Sequence, residues 1–297
     1  MKLSDFKDLV DIEVVRDGPF VTPGFIAPPA AGMLTFLESR KFLSAFRALP
    51  AVQAVITVDS LLDELSYFSG ARALAKSARR AFFQLHNHLA TRTDFYWENF
   101  PTEIHPSARV HPRAWVAERN VRIGAGSEIG PNVTICERSL IGQRVKLYPG
   151  VVIGSAGRQS TIVEGETIHM VHAGGVRIED GVHILANAAV ASAVFRQFTT
   201  IGQECLIGNL AFISHNSQIG PRSFVGHGSV VSGNVRTGEQ VWIGPGATLI
   251  ELLTIGDRAW ISPGSCVIQD VPPDHQVTGN VAVDHRSFLR HIASISR

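Results

Sequence analysis

Residues 201–220 read IGQECL-IGNLAF-ISHNSQ-IG, and the spacing of their isoleucines decides the fold. An aliphatic residue or threonine recurs at every sixth position along this part of the chain. The series is Ile201, Ile207, Ile213, Ile219, Val225, Val231, Thr237, Ile243, Leu249, Ile255, Ile261 and Val267. A strict period of six is typical of a parallel β-helix and fits neither an alternating strand nor an amphipathic helix.

The same hexads precede this stretch. They run from Ile104 to Ile153 and resume at Ile178, whereas residues 155–175 fall out of register and are predicted to loop out. Three hexads make the three faces of one coil, and coils stack at about 4.8 Å. We count about 24 hexads, hence about eight coils, whose two ends need caps because each coil buries its apolar face against its neighbours.

The flanking segments carry no hexads. Residues 1–100 predict a small α+β domain, residues 101–272 the β-helix, and residues 273–297 a carboxyl-terminal tail. Within the first domain we expect helices at 3–10, 41–49 and 71–89, with strands at 12–15 and 51–58; a short helix is expected at 284–295.

Composition excludes several classes of protein. The 297 residues are 45% hydrophobic and 18% charged with a net charge of +1, which gives no reason to expect nucleic acid as a partner. Cys136, Cys205 and Cys266 lie far apart and are interpreted as buried small residues of a reducing compartment. The charged amino terminus does not fit a signal peptide, and no apolar run is long enough for a membrane span. We therefore expect a cytoplasmic protein.

Four stretches carry a resemblance to a known family: Leu34–Phe42, Ile104–Ala108, Val176–Val182 and Ile213–Asn216. Together with the hexads, they make the chain similar to the hexapeptide-repeat acyltransferases. Among these it most resembles the UDP-3-O-acylglucosamine N-acyltransferases of lipid A synthesis, and the likeness covers nearly the whole chain. The resemblance implies a left-handed parallel β-helix, mainly β, with a small α+β domain before it and a short helix after it.

The resemblance also implies an activity. A homotrimer with active sites between neighbouring helices would move an acyl group from acyl-CoA or acyl carrier protein to the amine of a nucleotide-linked amino sugar, with no bound cofactor. Carried over onto this sequence, His215 is the catalytic general base. Phe36 and Phe42 face the nucleotide base, and Ser39 meets its edge. The product would serve lipid A, or O-antigen and other surface polysaccharide.

Histidine suits this chemistry. An amine that attacks a thioester must lose a proton, and an imidazole has an ordinary pKa of about 6.5, near working pH. A backbone N–H of an adjacent coil could stabilise the oxyanion. The alternative for His215 is a corner histidine bonded to the next coil. Gly208, Leu210 and Phe212 stand where the family has polar residues before its histidine, so no acidic group that supports the base is expected.

Three further residues are candidates for substrate binding. Asn216 follows the candidate base, His172 lies in the out-of-register segment, and His227 is third in its own hexad but on another face of the prism. We predict no metal site, since no Cys or carboxylate joins the histidines at 169, 172 and 183 at a recognised zinc spacing. Two alternatives to the N-acyltransferase stay open: an O-acetyltransferase of a small acceptor, and a non-catalytic β-helix that serves as a structural or binding module.

Overall fold

A computed structural model describes residues 1–27, 30–157, 159–279 and 282–295. It confirms the predicted fold class, a left-handed parallel β-helix with a small α+β unit before it and a helix after it. Among the described residues the coil strands form three parallel sheets of nine, eight and eight strands, one for each face of the prism.

The three faces take one short strand from each coil in turn. The first face contains Arg109–Val110, Glu128–Ile129, Lys146–Leu147, His183–Ile184, Leu206–Ile207, Phe224–Val225, Trp242–Ile243, Trp260–Ile261 and Gln276–Val277. The second contains Trp115–Val116, Thr134–Ile135, Val152–Ser155, Ala189–Ala191, Phe212–Ile213, Val230–Val231, Thr248–Leu249 and Cys266–Val267. The third contains Glu103–Ile104, Val121–Ile123, Ser139–Ile141, Gly175–Ile178, Phe198–Ile201, Gln218–Ile219, Arg236–Thr237 and Thr254–Ile255.

The hexad residues form the core of the prism. Ile201, Ile207 and Ile213 are fully buried and belong to one continuous apolar cluster with their counterparts in the other coils. Burial of each such side chain contributes roughly 1.5–3 kcal/mol. The corners turn through residues with positive φ, such as Asn132 at 59° and Asn216 at 60°, which asparagine tolerates better than most residues.

The amino-terminal unit is a five-stranded sheet with helices. Its strands are β1 (Glu13–Arg16), β2 (Thr22–Pro23), β3 (Met33–Leu37), β4 (Val52–Thr57) and β5 (Ala71–Leu74), in the order β1-β5-β4-β3-β2. The helices are α1 (Leu43–Arg47), α2 (Ala78–Arg92) and four 3-10 turns at Leu3–Phe6, Arg40–Phe42, Asp59–Leu61 and Asp63–Leu65. Phe82, Leu85 and Leu89 of α2 are fully buried in the core that this helix shares with the sheet.

Two helix predictions in this unit are wrong in extent. Residues 71–74 form strand β5 instead of the first turn of a long helix, because Ala71 and Ala73 alternate toward the core and the strand pairs with both β4 and β1. Helix α2 begins only after Ser77, whose hydroxyl accepts the N–H of Arg80 as an N-cap. Likewise, the helix expected at 3–10 is a 3-10 turn that ends at Phe6.

The out-of-register segment leaves the prism as predicted and folds as a hairpin of strands Ser160–Val163 and Glu166–His169. This hairpin packs on helix α2. Arg80 donates hydrogen bonds to Glu166 at 2.6 Å and to the carbonyl of Val163 at 3.1 Å. The amino-terminal unit therefore holds the segment that returns the chain to the β-helix at Gly175.

The β-helix extends beyond residue 272, where its predicted end lies. Strand Gln276–Val277 pairs with Trp260–Ile261 on the first face, and helix α3 (His285–Ile295) follows. Pro273 stacks on Gly256 in the same way that Pro263 stacks on Gly244. Pro273 is therefore a corner residue of the next coil, and the β-helix continues past it.

Two further observations concern the surface. Cys205 is buried, but Cys266 is exposed, which corrects the prediction for that residue: it precedes Val267 on its strand and so faces outward. Within the described ranges, no helix has both the length and the apolar character that crossing a bilayer requires.

Candidate active site

His215 lies at the corner that follows strand Phe212–Ile213 on the second face of the prism. Its side chain is only 7% exposed, yet it lies outside the apolar core of the prism. The ring is held between two glycines. A Cβ on Gly233, in the next coil, would stand 2.7 Å from Nε2, and a Cβ on Gly157 would stand 3.6 Å from Cδ2. Gly233 in particular leaves the space that the imidazole occupies.

The out-of-register segment brings His172 against this ring. The ring centroids of His172 and His215 are 5.6 Å apart and the planes meet at 78°. His172 Nδ1 lies 2.7 Å from the carbonyl oxygen of Ser192. By contrast, His172 Nε2 and His215 Nδ1 are both buried and have no hydrogen-bond partner among the described residues.

Burial dominates the electrostatics of this pair. Burial first and the neighbouring His172 second together lower the pKa of His215 to about 4. Burial also lowers the pKa of His172, against the hydrogen bond to Ser192 that raises it. No ion pair of either histidine with a carboxylate occurs in the described part of the chain.

A third buried histidine, which the sequence did not single out, anchors this segment. His86 of α2 contacts the Tyr96 hydroxyl at 2.6 Å through Nδ1 and the Val171 carbonyl at 2.8 Å through Nε2. Burial lowers its pKa to about 4, so the ring is neutral and Nε2–H donates to Val171. Asn87 adds two bonds to the same segment, from Val171 N–H at 2.9 Å and to the His169 carbonyl at 2.8 Å.

Phe36, Ser39 and Phe42 meet in one cavity of about 410 Å³ in the amino-terminal unit. The structure thus brings together the three residues that the resemblance assigns to a nucleotide base. Phe42 is 44% exposed, whereas Phe36 also packs on Phe82 with a centroid distance of 5.2 Å. The remaining lining residues are Phe25, Ile26, Ala27, Thr35, Glu38, Ala45 and Arg79.

Glu38 and Arg79 are polar lining residues that sequence reasoning missed. Glu38 accepts hydrogen bonds from the Arg79 backbone N–H at 2.7 Å and from the Ser77 hydroxyl at 3.0 Å, at the start of α2. The Arg79 guanidinium lies 5.6 Å from the Phe36 ring and donates to Thr161 of the hairpin at 3.2 Å. The wall of the cavity is therefore bonded to the hairpin that leads to His172.

The other two candidates are occupied elsewhere. Asn216 accepts a hydrogen bond from Val194 N–H at 3.0 Å and donates to Asn234 at 3.1 Å, so both ends of its amide join neighbouring segments. His227 is exposed at a corner of the first face, where its Nδ1 accepts the Asn209 N–H at 2.9 Å. None of these hydrogen bonds involves the ring of His215.

Clusters of metal ligands and the cysteines are the other features that bear on chemistry. Across the described ranges, no three side chains of His, Cys, Asp or Glu are grouped so that they could hold a metal ion. Burial raises the pKa of Cys205 to about 11 and also raises that of Cys136, so both thiols stay protonated at neutral pH.

Comparisons with known proteins agree with the repeat and with its class. A family model described as bacterial transferase hexapeptide (six repeats) matches residues 120–155 and 198–233. The match covers two stretches of the β-helix and bears out the predicted hexapeptide repeat.

Several similar curated proteins share one name. The UDP-3-O-acylglucosamine N-acyltransferase of Herminiimonas arsenicoxydans is 29% identical over 247 residues, which cover 70% of this chain and 65% of that protein. The one of Paracidovorax citrulli is 32% identical over 197 residues, or 61% of this chain and 54% of that protein. The chain thus spans less than two thirds of the length of these relatives.

Solved structures are more distant. The UDP-N-acetylglucosamine acyltransferase of Francisella novicida aligns with 63% of this chain and 73% of its own at 21% identity, with a TM-score of 0.48. A likeness at this level has no bearing on function.

Proposed function

We propose that the protein is an N-acyltransferase that moves an acyl group from a thioester to the amine of a nucleotide-linked amino sugar. The observation that carries the proposal is the state of His215. Its Nδ1 is out of reach of any ligand and the ring is neutral, so Nε2 is the one ring nitrogen that can take a proton from a substrate. A neutral imidazole with one available nitrogen can act as a general base, and the lowered pKa makes this one a weak base.

The reaction needs no covalent enzyme intermediate. The substrate amine attacks the thioester carbonyl, a C–N bond forms, and Nε2 of His215 takes the amine proton. The tetrahedral intermediate then collapses, the C–S bond breaks, and the imidazolium returns the proton to the departing thiolate. Gly233 lies beside the ring, and its N–H makes no hydrogen bond within the described residues, which makes it the candidate donor to the oxyanion.

The cavity of Phe36, Ser39 and Phe42 is the proposed site of the nucleotide base. Aromatic rings accept the faces of any base, and stacking contributes roughly 1–3 kcal/mol per base. The Ser39 hydroxyl, which accepts the Lys41 N–H at 3.3 Å, keeps its own proton for the edge of the base. The names of the similar curated proteins support a UDP-linked substrate, and the proposal includes both lipid A and another surface polysaccharide as the product's destination.

We further infer a cytoplasmic homotrimer that uses acyl-CoA or acyl carrier protein as donor. Helix α3 supports association, because its Phe288 and Leu289 are 48% and 52% exposed in the single chain. Sedimentation equilibrium would measure the assembly directly. A monomer at micromolar concentration would contradict this inference.

The activity can be tested with the purified full chain. UDP- and dTDP-linked amino sugars would be combined with acetyl-CoA or with acyl carrier protein thioesters, and the sugar followed by mass spectrometry. We expect a mass gain of one acyl group that disappears in His215→Ala and persists in His169→Phe, a change on the exposed side of the hairpin. Acylation of hydroxyl acceptors alone would favour the O-acetyltransferase, and turnover of no pair would favour the non-catalytic module.

A further inference from the structure

The two buried, unpartnered nitrogens of His172 and His215 belong to rings that are in contact. We propose that His172 is a positioning residue: its Nε2 accepts a hydrogen bond from His215 Nδ1–H and so holds the catalytic ring in the tautomer whose Nε2 is free. The tautomer assignment is argued from the two unpaired nitrogens and the contact of their rings, whereas its effect on catalysis rests on the proposed function.

The tautomer of His172 follows from its partner. The Ser192 carbonyl, 2.7 Å from Nδ1, can only accept a hydrogen bond, so Nδ1 carries the proton. The Gly157 N–H also approaches Nδ1, but at 3.4 Å, and it cannot donate to a protonated nitrogen. Because burial keeps the ring neutral, Nε2 of His172 is left with a bare lone pair.

The tautomer of His215 then follows from His172. Each of the two nitrogens exposes less than 1 Å² of surface, so a water molecule cannot satisfy either of them. Buried polar groups are nearly always paired. One arrangement satisfies both nitrogens at once, with the proton of His215 on Nδ1 and directed at His172 Nε2. No hydrogen bond joins them in the resting chain, so the rings must turn against each other to close it.

This arrangement fixes the tautomer of His215 without the acidic group that the sequence lacks. In the opposite tautomer the proton would occupy Nε2, and His215 could not accept one from an amine. A carboxylate commonly fixes the tautomer of a catalytic histidine. Here a neutral imidazole, itself fixed by a backbone carbonyl, takes that position.

The same observations argue against the predicted contact between His172 and substrate. Its Nδ1 is bonded to Ser192, and its Nε2 is closed to solvent. No polar atom of this side chain is left for a ligand. The amino-terminal unit fixes the position of the residue through His86 and Asn87, which bond to the adjacent Val171.

The test compares three variants of the full chain. His172→Phe keeps a ring but removes the acceptor, His172→Gln restores an acceptor oxygen, and His169→Phe makes the same change three residues away at an exposed site. In wild-type protein with ¹⁵N-labelled histidine, NMR should show the His215 proton on Nδ1. It should move to Nε2 in His172→Phe and remain on Nδ1 in His172→Gln.

The kinetic test uses the donor and acceptor that the acylation screen identifies. His172→Phe should lower kcat by roughly 10- to 100-fold, which is part of the rate that a positioned base contributes, and should change KM by no more than about twofold. His172→Gln should recover part of the loss. An unchanged His215 tautomer in His172→Phe, or a rise in KM alone, would overturn the proposal. If no acyl transfer is found, the tautomer result still decides the structural part, so failure of the function and failure of the pairing are distinguishable.

Discussion

The rings of His172 and His215 meet edge to face with their centroids 5.6 Å apart, and His172 is the one titratable group that perturbs His215 among the described residues. A base supported by a carboxylate has a raised pKa, because the negative charge stabilises the imidazolium. His215 has the opposite environment. Burial and a neighbouring histidine both favour its neutral form. His215 is therefore a weak base whose ring stays unprotonated over a wide range of pH.

The first prediction concerns the titration of His215. We expect its NMR resonances to titrate near pH 4 in the folded chain, the value to which burial and His172 lower its pKa. The urea-unfolded chain is the internal control, in which the same residue should titrate near the ordinary value of about 6.5. The rate of acyl transfer should depend on the same titration. After correction for protonation of the substrate amine, kcat/KM should stay level down to about pH 5. A midpoint at or above pH 6 in the folded protein would contradict this environment.

The sequence predicts the β-helix well because the information is local. Each hexad places one aliphatic residue inward, as Ile213 does, and the stacking of identical hexads fixes the rest. His215 and the cavity residues could be singled out because they lie in segments that resemble a known family. The role of His172 could not, since nothing periodic fixes the path of residues 155–175.

One signal for the position of His172 was nevertheless present. The chain leaves the prism after Ile153, at the corner where Ser192 follows Val190 and His215 follows Ile213 in the next two coils. Because successive coils stack residues in register, an insertion at this corner leaves the prism on the same edge as His215, two coils away. The misassigned strand β5 is a different case. Pairing with two neighbouring strands there overrides the helical preference of its alanines, and a single sequence does not show this pairing.

The second prediction concerns stability in acid. The folded-state pKa values of His86 and His215 are about 4, below the unfolded value of about 6.5. Between these limits the unfolded chain binds more protons, so stability is fully present above about pH 6.5 and is lost as pH falls toward 4. Each group contributes at most roughly 1.4 kcal/mol per pH unit in this window.

Urea unfolding at pH 7, 6 and 5 would measure this loss, with protein concentration held fixed because assembly also stabilises. His215→Gln should reduce the number of protons taken up on unfolding by about one, and the proton uptake that belongs to His86 should remain. An equal slope in wild type and variant would show that His215 is already solvated in the folded state.

The third prediction assigns Phe42 to substrate binding. Its ring lines the cavity and is 44% exposed, so Phe42→Ala should cost little stability. Loss of one stacked ring should raise KM for the nucleotide sugar by about tenfold with kcat nearly unchanged. Tyr67→Ala is the matched control. Tyr67 is similarly exposed and has a cation over its ring, Arg47 at 5.3 Å, as Phe42 has Lys41 at 5.7 Å, but it lies outside the cavity. Equal effects of both changes on KM would show that Phe42 does not bind the nucleotide sugar.

The last prediction separates two roles for Asn216. Its amide accepts from Val194 N–H and donates to Asn234, and its φ of 60° is one that asparagine tolerates. Asn216→Ala should therefore lower the free energy of unfolding by about 1–3 kcal/mol, because Val194 N–H loses its acceptor and the corner becomes strained. Asn132→Ala, at an exposed corner with φ of 59°, reports the backbone strain alone and should cost less. Urea denaturation gives both values, and steady-state kinetics at 20 °C gives KM. A large rise in KM with no excess loss of stability over Asn132→Ala would instead restore Asn216 as a ligand of the substrate.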